Sequence, residues 1–128
     1  MANSFVFGRK SEARLLNLEP RYVRVCRLAL TYSKVDFSII ETIRSLEKQK
    51  ENVVNGVSWT LESKHLANEN GLSEAWDIYP WVDGKTSHEI EHYNEVAKAM
   101  FRAAIELGEP LEWGGFWRQM DCPHWETG

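Results

Sequence analysis

Apolar residues recur at helical spacing near the start of the chain. Ser11 is placed to cap a short first helix that carries three leucines, Leu15, Leu16 and Leu18. Pro20 suits the first turn of a second helix. The residues that this second helix is expected to bury are Val23, Cys26, Ala29 and Leu30.

A longer amphipathic pattern predicts a helix from about Ser87 to Leu107. Gly108 and Pro110 follow it and are typical of a helix end. The residues expected on its buried face are Tyr93, Val96, Ala97, Met100, Phe101 and Ala104. A further helix is predicted from Ser45 to the Asn55-Gly56 stop.

Two segments have the composition of strands. Residues 35–41 place Phe37 and Ile39 on one face, and residues 75–79 form a second strand that Pro80 and the Asp83-Gly84 turn are expected to end. Short irregular strands are expected from Trp113 to Trp125. The pattern therefore predicts an α+β fold, with one small domain over residues 1–128 in which helices flank an antiparallel sheet.

Composition and charge narrow the function classes. A chain of 128 residues with 43% hydrophobic residues and six tryptophans can bury a core without disulfides or metal staples. The net charge of −4 and the scattered basic residues argue against nucleic-acid binding. No apolar run approaches the roughly 20 residues of a membrane span, and no secretory signal is recognisable. Cys26 and Cys122 fit no disulfide framework, and Cys26 is expected to be a reduced core residue.

Two sets of residues could bind zinc. His88-Glu89-Ile90-Glu91-His92 spells HExxH, in which two histidines one helical turn apart bind zinc and the glutamate acts as general base. However, Thr86 and Glu89 also form a T-x-x-E capping box, which places this stretch in the first turn of a helix. We therefore interpret His88 and His92 as part of a solvated, capped helix start.

The second set is spread along the chain, in Ser63-Lys64-His65, Ala75-Trp76-Asp77 and Asp121-Cys122-Pro123-His124. Two imidazoles and one carboxylate form a catalytic zinc site that leaves the fourth position open for water. Pro123 is expected to bend the last segment, so that Asp121 and His124 converge and Cys122 turns away.

These residues lie in a series of ordered motifs, S-E-A-R-L-L, T-I-R-S-L-E-K-Q, G-V-S-W-T-L-E-S-K-H-L, A-W-D-I, W-G-G-F-W and D-C-P-H-W-E. In that order the chain resembles the peptidoglycan peptidases of the D-alanyl-D-alanine carboxypeptidase and L-alanyl-D-glutamate endopeptidase clan, especially the phage endolysin branch. The resemblance covers nearly the whole chain. It implies the hedgehog/DD-peptidase-like fold and hydrolysis of the L-Ala–D-Glu bond in peptidoglycan stem peptides.

The resemblance also implies roles for individual residues. It assigns Zn²⁺ to His65, Asp77 and His124, and the catalytic base to Asp121. Arg44 would stabilise the oxyanion and contact the substrate. The other residues expected to contact the substrate are Gln49, Ser63 and Trp113.

One stretch departs from the family pattern. The family usually keeps a short S-x-H-x-x-G-x-A-x-D segment, whereas His65 and Asp77 stand twelve apart here, with Ser73 in place of a glycine. About five residues are therefore inserted within 67–74, and loop insertions of this kind cost little free energy. The insertion puts the shape of the substrate groove in doubt.

The resemblance further implies a monomer that waits in the host cytoplasm until a phage holin opens the inner membrane. The holin would act only indirectly, and no membrane insertion is expected. Two alternatives remain open from the residues alone. One is a carboxypeptidase or dipeptidase of the same clan acting on D-Ala-D-Ala, and the other is a zinc-stabilised peptidoglycan-binding module without turnover.

Overall fold

The structure, a computed structural model, describes residues 3–43 and 64–128 of the chain. Its helices are α1 (Arg9–Leu15), α2 (Pro20–Tyr32) and α3 (Ile90–Leu107). Its strands are β1 (Asp36–Glu41), β2 (Ala75–Val82), β3 (Lys85–Thr86), β4 (Leu111–Trp113) and β5 (His124–Thr127). The predicted helix from Ser45 to Gly56 lies outside the described residues.

The strands form one antiparallel sheet in the order β1-β2-β5-β4, with β3 paired to the far end of β2. Side chains of the helices and of one sheet face share a single hydrophobic core. The α+β prediction, with an antiparallel sheet flanked by helices, is confirmed. None of the described helices is long and apolar enough to cross a bilayer.

Three tryptophans on neighbouring strands fix which face of the sheet is buried. Trp113 pairs with Trp125, and Trp125 pairs with Trp76. Their rings stack at centroid distances of 5.4 and 6.5 Å. Because side chains alternate along a strand, the inward Trp125 turns its neighbours on β5, His124 and Glu126, towards the opposite face.

The second strand is longer than predicted. It runs through Pro80 to Val82, so the expectation that Pro80 ends it is wrong. Proline has no N–H to leave unpaired, and the Pro80 carbonyl still accepts a hydrogen bond from the Ser87 N–H at 2.8 Å. The Asp83-Gly84 turn is confirmed, and both residues have positive φ, 53° and 75°, as a type I′ hairpin turn requires.

Ser11 does not cap the first helix as predicted. The helix begins at Arg9 with Gly8 as its N-cap, and Ser11 is buried inside it. The Ser11 hydroxyl instead accepts a hydrogen bond from the Ile39 N–H at 3.0 Å, so the side chain joins α1 to β1. A tertiary contact has replaced the local role that the sequence suggested.

The buried faces of α2 and α3 largely follow the predicted pattern. Pro20 is the first residue of α2, as expected, but Val23 is only partly buried and Val25 is fully buried. On α3, Phe101 is likewise partly buried against the core. Gly108 ends α3 in the left-handed conformation, φ 71°, which confirms the predicted stop.

Candidate metal centre

The three predicted ligands, His65, Asp77 and His124, converge on the sheet face opposite the tryptophans. His65 Nε2 lies 3.3 Å from Asp77 Oδ1 and 3.3 Å from His124 Nδ1, and His124 Nδ1 lies 3.2 Å from Asp77 Oδ1. His65 is 2% exposed and His124 is 8% exposed. The structure thus brings together three side chains that are far apart in the sequence.

The sheet itself places two of these ligands. Asp77 on β2 is directly opposite His124 on β5 in the antiparallel register. Opposed residues of neighbouring strands project on the same side of a sheet. The third ligand comes from the loop before β2, which is tied back by a hydrogen bond from the Glu74 N–H to the Lys64 carbonyl at 2.9 Å.

A hydrogen bond on the far side of each imidazole fixes its orientation. His65 Nδ1 lies 2.7 Å from the Thr42 carbonyl oxygen, which can only accept, so Nδ1 donates to it and Nε2 faces the other two members of the trio. His124 Nε2 lies 2.8 Å from Glu126 Oε1, which leaves His124 Nδ1 facing the other ligands. This arrangement of outer partners is typical of histidines that bind metals.

The distances among the three ligand atoms fit zinc. In a tetrahedron with metal–ligand bonds of about 2.0–2.1 Å, neighbouring ligand atoms are about 3.3–3.4 Å apart. The observed separations are 3.2 and 3.3 Å. Two nitrogens and one carboxylate oxygen are also a donor set that zinc accepts, and three protein ligands leave one position open.

Burial and the neighbouring charges shift the pKa values of Asp77 and His124. Burial raises the pKa of Asp77, but hydrogen bonds from His124 and His65 outweigh it and hold that pKa well below its usual value. Burial lowers the pKa of His124, but its contacts with Asp77 and Glu126 outweigh it and raise the pKa to about 9. A positive charge is therefore stabilised between these carboxylates, and without a metal a proton supplies it.

The predicted base, Asp121, begins the turn that leads into β5. The His124 N–H donates to the Asp121 carbonyl at 3.1 Å, and the Ile78 N–H donates to the Pro123 carbonyl at 2.9 Å. The bend expected at Pro123 is therefore present. The Asp121 N–H in turn donates to the Gly114 carbonyl at 2.9 Å, which closes the 114–121 loop.

Two tryptophans differ in their position relative to the trio. Trp113, predicted to contact the substrate, is 5% exposed, and its N–H donates to the Cys122 carbonyl at 2.8 Å. The half-buried Trp117 lies with its ring centroid 5.0 Å from that of His124. Of these two indoles, Trp117 faces the candidate site, while Trp113 supports β5 from the core side.

The remaining predicted substrate contacts, Arg44, Gln49 and Ser63, lie outside the described residues and stay predictions. Within the described residues, Cys26 and Cys122 are free thiols, and burial raises the pKa of each.

The HExxH segment does not form a zincin site. His88 precedes α3 and its Nδ1 lies 3.1 Å from the Tyr93 hydroxyl, while His92 Nδ1 lies 2.6 Å from the Ser87 hydroxyl. In the described part of the chain, no group of potential ligands contains both histidines. The zincin alternative is therefore not supported.

The predicted capping box is also wrong. Thr86 lies in β3, and Glu89 is the N-cap of α3 without a side-chain capping bond. Instead, the Ser87 hydroxyl accepts a hydrogen bond from the Glu89 N–H at 3.2 Å. The segment is a helix start, as interpreted, but Ser87 and not Thr86 supplies the local hydrogen bond.

The inserted loop before β2 is held by its own hydrogen bonds. Asn68 accepts from the N–H groups of Asn70 and Leu72 at 2.9 and 3.1 Å, and Gly71 adopts φ 75°. Ser73 is fully buried, and its hydroxyl lies 2.7 Å from the Thr42 carbonyl that also accepts from His65. The additional residues thus fold back beside the site without separating the ligands.

Similarity to known proteins identifies the family of this chain. Residues 3–127 match the model of a family described as phage L-alanyl-D-glutamate peptidase. The chain belongs to the phage L-alanyl-D-glutamate peptidase family. Within that family it is 35% identical over 118 residues to the L-alanyl-D-glutamate peptidase of Escherichia phage T5, an alignment that covers 89% of this chain and 82% of the relative.

Two further similarities support this family assignment. The L-alanyl-D-glutamate peptidase of Listeria phage A118 is 35% identical over 91 residues, which cover 70% of this chain and 30% of that protein. The crystal structure of the Serratia marcescens L-Ala D-Glu endopeptidase ChiX matches with a TM-score of 0.87 and 39% identity, over 98% of this chain and 92% of that one. The resemblance drawn from the ordered motifs is therefore confirmed.

Proposed function

We propose that this protein is a zinc-dependent endopeptidase of the endolysin type, which hydrolyses the L-Ala–D-Glu bond of peptidoglycan stem peptides. The observation that carries the proposal is the His65–Asp77–His124 trio, with ligand atoms 3.2 to 3.3 Å apart on a buried sheet face. Membership of the phage L-alanyl-D-glutamate peptidase family supports the substrate and the bond cleaved. By analogy with other endolysins, it would act after a holin releases it from the host cytoplasm.

Zinc bound to these three residues would act as a Lewis acid on the scissile carbonyl and would make a bound water acidic near neutral pH. The protein itself supplies the remaining steps. Asp121 would accept the proton of the attacking water and deliver it to the departing amine of D-Glu. Arg44 would donate to the developing oxyanion, a contact whose loss typically costs about a hundredfold or more in rate.

Trp117 is placed to form one side of the proposed substrate site. Its ring lies against His124, and its N–H donates to Glu112 at 2.9 Å, which fixes the plane of the indole. Between Trp113 and Trp117, we therefore assign the substrate contact to Trp117 and not, as the resemblance implied, to Trp113.

The decisive experiment is mass spectrometry of purified Gram-negative peptidoglycan after incubation with the protein. We expect new free amino termini on D-Glu, which a chelator abolishes and added zinc restores. Release of free D-Ala would instead establish the carboxypeptidase alternative. Absence of any product with zinc-loaded protein would contradict the proposal.

The role of Asp121 is tested by Asp121→Asn, with Asp83→Asn as a matched control. Both variants lose one carboxylate, but Asp83 lies in the remote β2–β3 turn, where asparagine also suits a positive φ. We expect Asp121→Asn to bind zinc as the wild type does and to lose about 10²–10⁴-fold in turnover. Turnover within a few fold of Asp83→Asn would refute the assignment.

A further inference from the structure

Glu126 contacts His124 on the side of the imidazole that faces away from Asp77 and His65. It lies on β5 two residues after His124, so both side chains project on the same face of the sheet. Its Oε1 lies 2.8 Å from His124 Nε2, and its side chain is 16% exposed. A carboxylate accepts here, so His124 Nε2 donates to Glu126, and Nδ1 is the nitrogen that faces Asp77 and His65.

Lys64 in turn contacts Glu126. Lys64 Nζ lies 3.3 Å from Glu126 Oε2 and donates to the Thr127 carbonyl at 2.7 Å. Lys64 directly precedes His65, and its own carbonyl accepts from the Glu74 N–H. Lys64 therefore joins the segment that carries His65 to β5, the strand that carries His124.

We infer that Glu126 is a positioning residue for metal binding, which acts through His124 and is itself held by Lys64. The inference rests on the metal centre of the proposed function. An imidazole without such a partner can rotate or present either nitrogen to the metal. Loss of an outer partner of this kind typically weakens metal affinity about 10- to 100-fold.

The contacts of Glu126 distinguish it from an ordinary surface acid. Glu112, its partner on β4, is exposed, and its carboxylate accepts from the Trp117 N–H. Glu126 is directed at the centre instead, with Oε1 2.8 Å from His124 Nε2 and Oε2 3.3 Å from Lys64 Nζ. These two contacts join Glu126 to His124 and to the segment that carries His65.

The test measures zinc affinity by competition with a chelating dye for the wild type, Glu126→Ala, Glu126→Gln and the remote control Glu95→Ala. Glu95 is a carboxylate on α3 that pairs with Lys98 three residues on. We expect Glu126→Ala to bind zinc about 10- to 100-fold more weakly. Glu126→Gln keeps an oxygen that accepts from Nε2–H and should stay within a few fold of the wild type and of Glu95→Ala.

A spectroscopic readout separates positioning from a general structural role. In ¹⁵N NMR of the zinc-loaded wild type, we expect the His124 ring to show a protonated Nε2 and a metal-bound Nδ1. In Glu126→Ala, this single pattern should broaden or give way to a mixture. Thermal unfolding of the metal-free variants shows whether each remains folded, and Glu126→Met, of similar length and without an acceptor, replaces Glu126→Ala if that variant does not fold.

The outcomes distinguish the positioning role of Glu126 from the proposed metal centre and from the proposed function. Unchanged zinc affinity in Glu126→Ala, or an equal loss in Glu126→Ala and Glu126→Gln, would overturn the positioning role. Failure of the wild type to bind zinc would instead overturn the proposed metal centre. Wild-type protein that binds zinc but releases no peptide would contradict the proposed function and leave the role of Glu126 intact.

Discussion

A backbone carbonyl and a buried hydroxyl lie beside His65 and hold its surroundings together. The Thr42 carbonyl accepts from His65 Nδ1, and the Ser73 hydroxyl lies 2.7 Å from the same oxygen. Ser73 also lies 2.7 Å from the Ala75 carbonyl, so one buried hydroxyl links the end of β1 to the start of β2. Neither Thr42 nor Ser73 has a residue type that marks it as part of a metal site.

Replacing Ser73 by alanine should destabilise the protein without removing the site. The Thr42 carbonyl keeps its bond from His65, so the expected cost is that of one buried hydrogen bond, about 1 kcal/mol. Thermal unfolding of the metal-free protein measures this, with the exposed Ser4→Ala as control. Equal melting temperatures for the two variants would show that the Ser73 hydroxyl contributes nothing.

The convergence of His65, Asp77 and His124 could be predicted from the sequence, but the partners around them could not. His65, Asp77 and His124 have side chains that bind metals and lie in ordered motifs. Glu126 and Thr42 become partners only because the chain reverses between β1, β2 and β5, and no local pattern encodes which acceptor will meet a given imidazole nitrogen. The same limit applies to Trp117, whose contact with His124 depends on how the 114–121 loop folds.

At the level of elements, β1, the start of β2 and α2 follow from the sequence pattern, whereas the starts of α1 and α3 do not. Ser11 and Thr86 both match capping patterns, yet Ser11 bonds to β1 and Thr86 lies in β3. Local propensity contributes about 1 kcal/mol at such positions. A tertiary hydrogen bond or a strand pair of similar free energy can therefore override it.

The 114–121 loop depends on the absence of a side chain at Gly114. A Cβ at that position would lie 2.3 Å from the Asp121 carbonyl oxygen, which itself accepts from the His124 N–H. Gly114→Ala should therefore displace the turn that carries both Asp121 and His124. We expect a loss of about 1–3 kcal/mol in stability and weaker zinc binding.

The matched control for Gly114→Ala is Gly8→Ala. A Cβ at Gly8 would meet nothing within 4 Å, and its φ of −75° suits alanine. Dye competition and thermal unfolding compare the two variants. If Gly114→Ala binds zinc as tightly as Gly8→Ala does, the loop is not needed to position His124.

At the scale of the whole molecule, the candidate centre joins segments that are distant along the chain. A ligand that binds only the folded state at 100 times its Kd adds about 2.7 kcal/mol of stability. For a domain of this size, we expect zinc to raise the melting temperature on the order of 10 °C above that of the chelated protein. Calorimetry with and without chelator measures the difference.

The zinc-dependent difference in melting temperature should widen as pH rises from 6.5 to 8. In the metal-free protein, the His124 pKa is raised to about 9. The stability from its protonated form is thus complete below pH 6.5 and is lost as pH rises through 9. Zinc requires the unprotonated imidazole, so its affinity increases over the same range. A difference that stays constant with pH would contradict this coupling.

The register between β2 and β5 has a consequence for the fidelity of folding. Asp77 and His124 are a directly opposed pair, so a slip of one residue would place Pro123 or Trp125 opposite Asp77. A metal ion that binds the opposed pair therefore stabilises only the native pairing of these strands. Zinc present during refolding would therefore favour the native strand register, because chains with a shifted register would not be stabilised by the metal.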